Sequence, residues 1–278
     1  AERLINDHNV MAIMGPNCSG ATGAVVSNVS VPNAVLTISN AATSPGLSDI
    51  VDEGMFFRTA PSDTIQAAVL AKVALSKGIT DMAVTHSNSD YGKGLADSFV
   101  AQYVAAGGTV TVMSGHEDDK ADYSADVAAL SAGGSTTLAV FGYADTGGKG
   151  IVTASEDTGA FMDYVFADGM MSETISGLVA DGSWGTKPAP SADLAAEWLV
   201  VAAAGGVDGN GVFTGESYDA MALIILAAQA AGSTDSAAMA AEVMNIANAP
   251  GIQCKAGKLS DCLKYVSGGL EVDYVGAI

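Results

Sequence analysis

Short apolar runs recur along the first part of the chain, each closed by turn residues. They lie at residues 10–14 (VMAIM), 34–38 (AVLTI), 82–85 (MAVT), 110–113 (VTVM), 138–141 (LAVF) and 164–167 (YVFA). Runs this short, bounded by Gly, Pro, Asn and Ser, predict buried strands. Helical patterns separate most of them. Residues 64–76 (TIQAAVLAKVALS) place Ile65, Val69, Val73 and Leu75 mostly along one stripe, and residues 93–105 do the same with Leu95, Phe99 and Val104. Residues 123–130 and 150–156 are shorter candidates. Alternation of strand and helix predicts an α/β fold built on doubly wound parallel sheets. Beyond about residue 170 the pattern becomes helical, with candidates at 191–203, 217–231 and 236–247. Ser233, Thr234 and Asp235 form a capping sequence before the last of these. The stretches GTKPAPS (185–191) and GGVDGNG (205–211) read as loops or linkers, and no fixed-period repeat is present.

Composition narrows the class. The 278 residues suffice for two compact lobes, and 49% are hydrophobic while only 6% are aromatic. The core is therefore built from Ala, Val, Leu, Ile and Met. Eleven basic residues stand against 31 acidic ones, a net charge of −20. Such a surface repels nucleic acid and anionic bilayers and favours solubility, including in a saline habitat. The longest apolar run, AMALIILAAQAA at 220–231, is shorter than the roughly 20 residues a spanning helix needs, so direct membrane insertion is not expected. The chain opens on AERLINDHNV, without Met or a signal peptide, and closes on the apolar VDYVGAI. It reads as part of a longer protein, with both ends missing. Of the three cysteines, Cys254 and Cys262 flank a polar stretch whose spacing suits a disulfide, with two free thiols as the alternative.

In an open α/β sheet, ligands bind beyond the carboxyl ends of the strands. The residues after each apolar run are therefore the candidates. GPNCSG (15–20) offers the Ser19 hydroxyl and the N–H groups of a helix start, which suit an anion, or Ser19 only caps its helix. SNAATSP (39–45) offers small residues, Ala41 and Ala42, and the Thr43 hydroxyl and N–H. In TAPSD (59–63), Asp63 reads as a helix cap. Tyr91 and Tyr143 follow later runs, and Asp168 stands at the end of the sixth. Three of these positions suit an anion and one or two carboxylates suit a cation, which together match a zwitterion. Enzyme templates fit poorly. There is no G-x-S-x-G elbow, phosphate loop or dinucleotide fingerprint, and His8, His86 and His116 show no metal spacing. HEDDK (116–120) reads as a solvated acidic loop.

Taken in order, GPNCSG, VPNAVLTISNAATSP, FFRTAPSDTIQA, SDYGKGLADSF, DYSADVAAL, FGYAD, ADG, ESYDAMALIILAAQAAGSTD and VDYVGA span most of the chain. Together they resemble the substrate-binding proteins of branched-chain amino-acid ABC transporters, the type I periplasmic binding fold. The resemblance implies two α/β lobes joined by a hinge: residues 1–60 and 188–272 in lobe one, 61–187 in lobe two, and 273–278 beginning a third crossing. It implies that the first strands and the last strand of the family fold are not present in this chain. It implies a ligand set of Ser19 and the Thr43 N–H for a carboxylate, with the Ala41 carbonyl, Ala42 beside it, the Thr43 hydroxyl and Asp168 for an ammonium. Tyr91 and Tyr143 join from the second lobe, and Asp63 lies near the hinge. Asn40 and the short Gly-rich segment at 205–211 depart from the family pattern.

The function implied is that of a periplasmic receptor, not an enzyme. It takes a small amino acid (branched aliphatic, small polar or a related amide) and passes it to a membrane permease. No catalytic residue, cofactor or metal is implied, and a monomer is expected. Arg58 and Lys93 are almost the sole cations near the strand ends, so a ligand with an acidic side chain would lack a partner. Two other functions stay open: a ligand-sensing regulatory or receptor domain of the same fold and, remotely, an amide or ester hydrolase using Ser19 or Cys18. Cys18 is expected to have its partner upstream of Ala1, as in some family members, and Cys254 is expected to pair with Cys262.

Overall fold

The computed structural model describes all 278 residues. The chain begins α1 (Glu2–His8), β1 (Ala12–Met14), α2 (Ser19–Val25), β2 (Leu36–Ser39), β3 (Phe56–Arg58) and α3 (Asp63–Ser76). It continues β4 (Asp81–Ser87), α4 (Asp90–Ala105), β5 (Thr109–His116), α5 (Ser124–Ser131), β6 (Thr137–Phe141), α6 (Lys149–Thr158) and β7 (Asp163–Phe166). It ends α7 (Glu173–Ser176), β8 (Trp184–Gly185), α8 (Ala192–Ala204), α9 (Thr214–Ala231), α10 (Ser236–Ile246), β9 (Ile252–Lys255), α11 (Leu259–Ser267) and β10 (Val272–Gly276). All six apolar runs form strands, and every paired strand is parallel. No helix is long and apolar enough to cross a membrane.

The chain divides into two compact units. The first comprises Ala1–Ala42, Asp49–Pro61 and Ala189–Ile278; the second comprises Thr43–Ser48 and Ser62–Pro188. Thr43–Ser48 therefore packs with the second unit, whereas the resemblance put all of 1–60 in lobe one. Residues 272–276, expected in part to begin a crossing, pair with β9 as a strand of the first unit.

The second unit holds a five-stranded sheet in the order β5-β4-β6-β7-β8. Its central strand β6 shows why a parallel sheet carries continuous apolar runs. Leu138 and Val140 enter one core, with Val127, Leu130 and Ile151. Ala139 and Phe141 enter the opposite core, with Leu70, Leu95 and Phe99. Both faces are covered, so both sets must be apolar. Helix α3 corrects a sequence expectation. Its buried face is Gln66, Ala67, Leu70, Ala71 and Ala74, while Ile65 and Val69 are 62% and 46% exposed. Alanines let the helix lie close to its neighbours, and the larger aliphatic residues at 65 and 69 stay outside. Val104 is likewise exposed, and Tyr103 takes the buried place on α4.

The first unit has a three-stranded sheet, β1-β2-β3, and a two-stranded one, β10-β9. Leu36 and Ile38 of β2 pack with Leu223 and Leu226 of α9, Met239 and Val243 of α10, and Tyr274 of β10. Asp235 caps α10 through a 2.9 Å bond from the Ala238 N–H. The cysteines depart from expectation. Cys254 and Cys262 lie on β9 and α11, not in a polar loop, and both are buried free thiols with no disulfide between them. Both pack into the core of the first unit. Burial, and then the neighbouring Cys254, push the Cys262 thiol up to about 12, which favours its protonated form. Cys18 is free and exposed.

The end of β10 is fixed by one carboxylate. Asp219 of α9 accepts from the Tyr274 hydroxyl at 2.8 Å and from the Ala277 N–H at 2.8 and 2.9 Å. Gly276, at φ +80°, passes so close that a Cβ there would stand 2.8 Å from Asp219 Oδ2. Replacing Asp219 by Ala leaves a buried hydroxyl and a buried N–H without a partner. We expect Asp219→Ala to cost about 2–4 kcal/mol, seen as a lower urea midpoint at unchanged m-value.

Candidate functional site

The loops after the parallel strands carry the candidate residues. In the first unit, Ser19 opens α2 and is 1% exposed. It does not cap that helix: Cys18 occupies the cap position and makes no side-chain cap bond. Ser39, at the end of β2, ties the two loops of this unit together. Its hydroxyl donates to the Pro16 carbonyl at 2.6 Å and accepts from the Ala42 N–H at 3.1 Å. The Ala42 carbonyl accepts from Arg58 Nη1 at 3.2 Å. Both backbone groups of Ala42 are therefore engaged within the unit. Ala41 stands between these anchored positions. The sequence did not single out Ser39; its signal was a hydroxyl at the last position of an otherwise apolar strand.

In the second unit the structure brings Tyr91, Tyr143 and Asp168 together. Asp168 follows β7 and Tyr91 lies in the first turn of α4. The Tyr91 hydroxyl donates to Asp168 Oδ1 at 3.0 Å and accepts from the Gly169 N–H at 3.0 Å. The Tyr143 ring stacks on Tyr91, with centroids 4.9 Å apart at 26°. Two glycines make this approach possible. A Cβ on Gly92 would meet the Ser87 and Phe141 carbonyls at 2.7 and 2.9 Å. A Cβ on Gly169 would meet the Gly142 carbonyl and stand 2.8–2.9 Å from the Tyr91 ring and hydroxyl. The start of α4 is thus seated directly on the strand ends.

Asp63 is wholly buried and is the first residue of α3, whose cap is Ser62, so the capping role expected of Asp63 falls to its neighbour. Its N–H donates to the Thr43 carbonyl at 2.9 Å. The Thr43 hydroxyl is buried without a hydrogen-bond partner. Lys93, one of the two cations near these ends, pairs with Asp97.

Electrostatics single out Asp168. Burial pushes its carboxyl above the usual range, against the pull of the Tyr91 hydroxyl, the Gln66 amide and the N–H groups of Asp168 and Gly169. Burial, then the charges of Asp168 and Asp63, hold the Tyr91 hydroxyl well above its ordinary value, so it remains a donor. A buried carboxylate with a fixed donor on one oxygen is suited to a cationic group of a ligand.

Comparison with known proteins fits this geometry. The profile described as "Receptor family ligand binding region" matches residues 1–195. The chain belongs to that family. A Leu/Ile/Val-binding protein homolog from Brucella melitensis is 30% identical over 247 residues, covering 84% of this chain and 66% of that relative. The chain thus spans just under two thirds of that relative's length. Among solved structures, the leucine-binding protein LivK of Thermotoga maritima superposes with a TM-score of 0.74 at 21% identity, covering 88% of this chain and 71% of that one. LivJ of Streptococcus pneumoniae, described in complex with isoleucine, gives 0.71 at 23% identity, covering 89% and 72%. The fold is that of the type I periplasmic binding proteins.

A carboxyl raised above its unfolded value holds its proton better in the folded state. Its contribution to stability is present at low pH and is lost as pH rises through the folded value. Asp168→Asn removes that loss. We expect the ligand-free variant to match the parent Tm at acidic pH and to exceed it at neutral pH, as read by calorimetry across a pH series.

Proposed function

We propose that this protein is a non-catalytic extracytoplasmic receptor for a small amino acid, which it delivers to an ABC permease. The observation that carries this reading is the buried Asp168 carboxylate, fixed by Tyr91 and Gly169 at the strand ends of the second unit. An isolated buried carboxylate is costly, and a ligand ammonium offsets that cost. In this reading Asp168 and the Thr43 hydroxyl serve the ammonium with the Ala41 carbonyl, while Ser19 and the Thr43 N–H serve the carboxylate. Tyr91 and Tyr143 form an aromatic wall, and Asp63 supports the Thr43 loop. Ala42 acts as a small spacer whose backbone is already bonded.

The ligand is neutral overall. Lys93 is engaged with Asp97, and Arg58 donates to the Ala42 carbonyl, so neither is set aside for an acidic side chain. A branched aliphatic or small polar amino acid, or a related amide, fits this charge pattern. Relatives and structural neighbours described as binding leucine, isoleucine and valine support the same class. We propose a monomer that acts outside the cytoplasmic membrane.

Thermal-shift screening of the common amino acids is expected to raise the Tm with at least one neutral member. A flat screen overturns the reading. For the best ligand, titration calorimetry is expected to show constant affinity near neutral pH. On acidification, affinity falls by about tenfold per pH unit once Asp168 takes up a proton. The fall begins above the ordinary carboxylate value of about 3.9. Asp168→Asn is expected to weaken the amino acid about 10- to 100-fold while a neutral amide such as isovaleramide loses far less. Equal losses for both would remove the ammonium assignment.

A further inference from the structure

Two helices lead into the parallel pair β9–β10 from the same end. α10 ends at Ile246 and is followed by β9, and α11 ends at Ser267 and is followed by β10. Both helix carboxyl ends therefore arrive at the amino ends of the two strands. A cavity of about 520 Å³ opens there, a size suited to a small molecule. Its floor is the core of the first unit, through the buried Ile246 and Val272. Met244 and Leu270 stand on its walls at 56% and 51% exposed, together with Pro250 and Val266. Two carboxylates, Glu242 and Glu271, also line it, and no Lys, Arg or His does. Neither carboxylate takes part in an ion pair. Glu242 accepts from the Asn245 amide at 3.2 Å, and the Asn248 amide donates back to the Met244 carbonyl at 2.9 Å, so both amides bond to groups of their own helix. The last turn of α10 carries no basic residue. Helix carboxyl ends concentrate partial negative charge on their unpaired carbonyls, and cations are favoured beside them. The cavity thus joins an apolar surface to uncompensated negative charge.

We propose that this cavity is a second ligand site, which binds a small organic cation with an aliphatic arm, of the alkylguanidinium or alkylammonium class. It uses none of the residues assigned to the amino acid and does not depend on that reading. The arm covers Met244, Leu270 and the apolar floor, and removes their exposed carbon from water. The cationic head meets Glu242, Glu271 and the carboxyl ends of the two helices. A bare metal ion would answer the charge and leave the apolar walls wet. A neutral molecule of the same length would cover the walls and leave the charge unanswered. A zwitterionic amino acid would bring its own carboxylate against the two glutamates. Charge and surface together therefore select a cation that carries an apolar arm and no anionic group.

The test uses the whole chain and n-butylguanidinium as the probe, titrated at an ionic strength held constant with NaCl and followed by backbone amide chemical shifts. Saturable shifts centred on residues 242–250 and 266–272 are expected, with a dissociation constant of about 1 mM or tighter. n-Butylurea has the same shape without the charge, and guanidinium has the charge without the arm. Each is expected to bind at least about tenfold more weakly than n-butylguanidinium. Glu242→Gln and Glu271→Gln together are expected to weaken the probe about tenfold. Asp193→Asn, which removes a charge on α8 outside the cavity, is expected to change it less than about twofold. Leu270→Ser is expected to weaken n-butylguanidinium and to leave guanidinium unchanged. Four results overturn the proposal: shifts that do not saturate, shifts centred on Asp168 instead, n-butylurea binding as tightly as n-butylguanidinium, or equal weakening by Asp193→Asn and the paired glutamate variant. Should the paired variant alter the fold, its own amide spectrum reveals it, and the n-butylurea and guanidinium comparisons on the unmodified protein decide the matter.

Discussion

One hydroxyl organises the second unit. Tyr91 gives its proton to Asp168 and takes one from the Gly169 backbone, joining the first turn of α4 to the end of β7. The arrangement exists because neither Gly92 nor Gly169 has a side chain to hold the backbones apart. Removing water from this junction raises the proton affinity of both partners, and the hydroxyl remains protonated as a result. The hydroxyl therefore remains the donor of this pair. Burial is the leading cause of both shifts, and it acts on two groups that are bonded to each other.

The first unit reaches a comparable order with a smaller group. Ser39 closes a strand and spends both sides of its hydroxyl on loop backbones, one at Pro16 and one at Ala42. Parallel strands deliver their loops to one edge, but loops alone are soft. A short side chain bonded to two of them fixes their spacing without filling the space above them. The Asp219 carboxylate does similar work at the other end of the unit's sequence, where it gathers a strand end through Tyr274 and Ala277.

Much of this was legible in the sequence, and the reasons are physical. Strands buried on both faces must be apolar throughout, so the six runs stood out. Their ends then marked Ser19, Thr43, Tyr91, Tyr143 and Asp168 by topology alone. The failures share a cause. On α3, alanine contributes little contrast, so the large aliphatic residues drew the stripe to the wrong face. The strand and helix that carry Cys254 and Cys262 are short and flanked by lysines and glycines, and they read as a polar loop. Gln66 did not stand out because the carbonyl that takes its amide N–H belongs to Thr186, 120 positions away.

The cysteines give the molecule an experimental handle. Cys254 and Cys262 are shut inside the core, and the Cys262 thiol resists ionisation. Cys18 alone is open to solvent, and its neighbour in sequence is the buried Ser19. Maleimide chemistry on the native fold would therefore mark one site without any engineering. A fluorophore attached there would stand on the loop between β1 and α2, beside the start of α2, and would report on that loop without a designed cysteine.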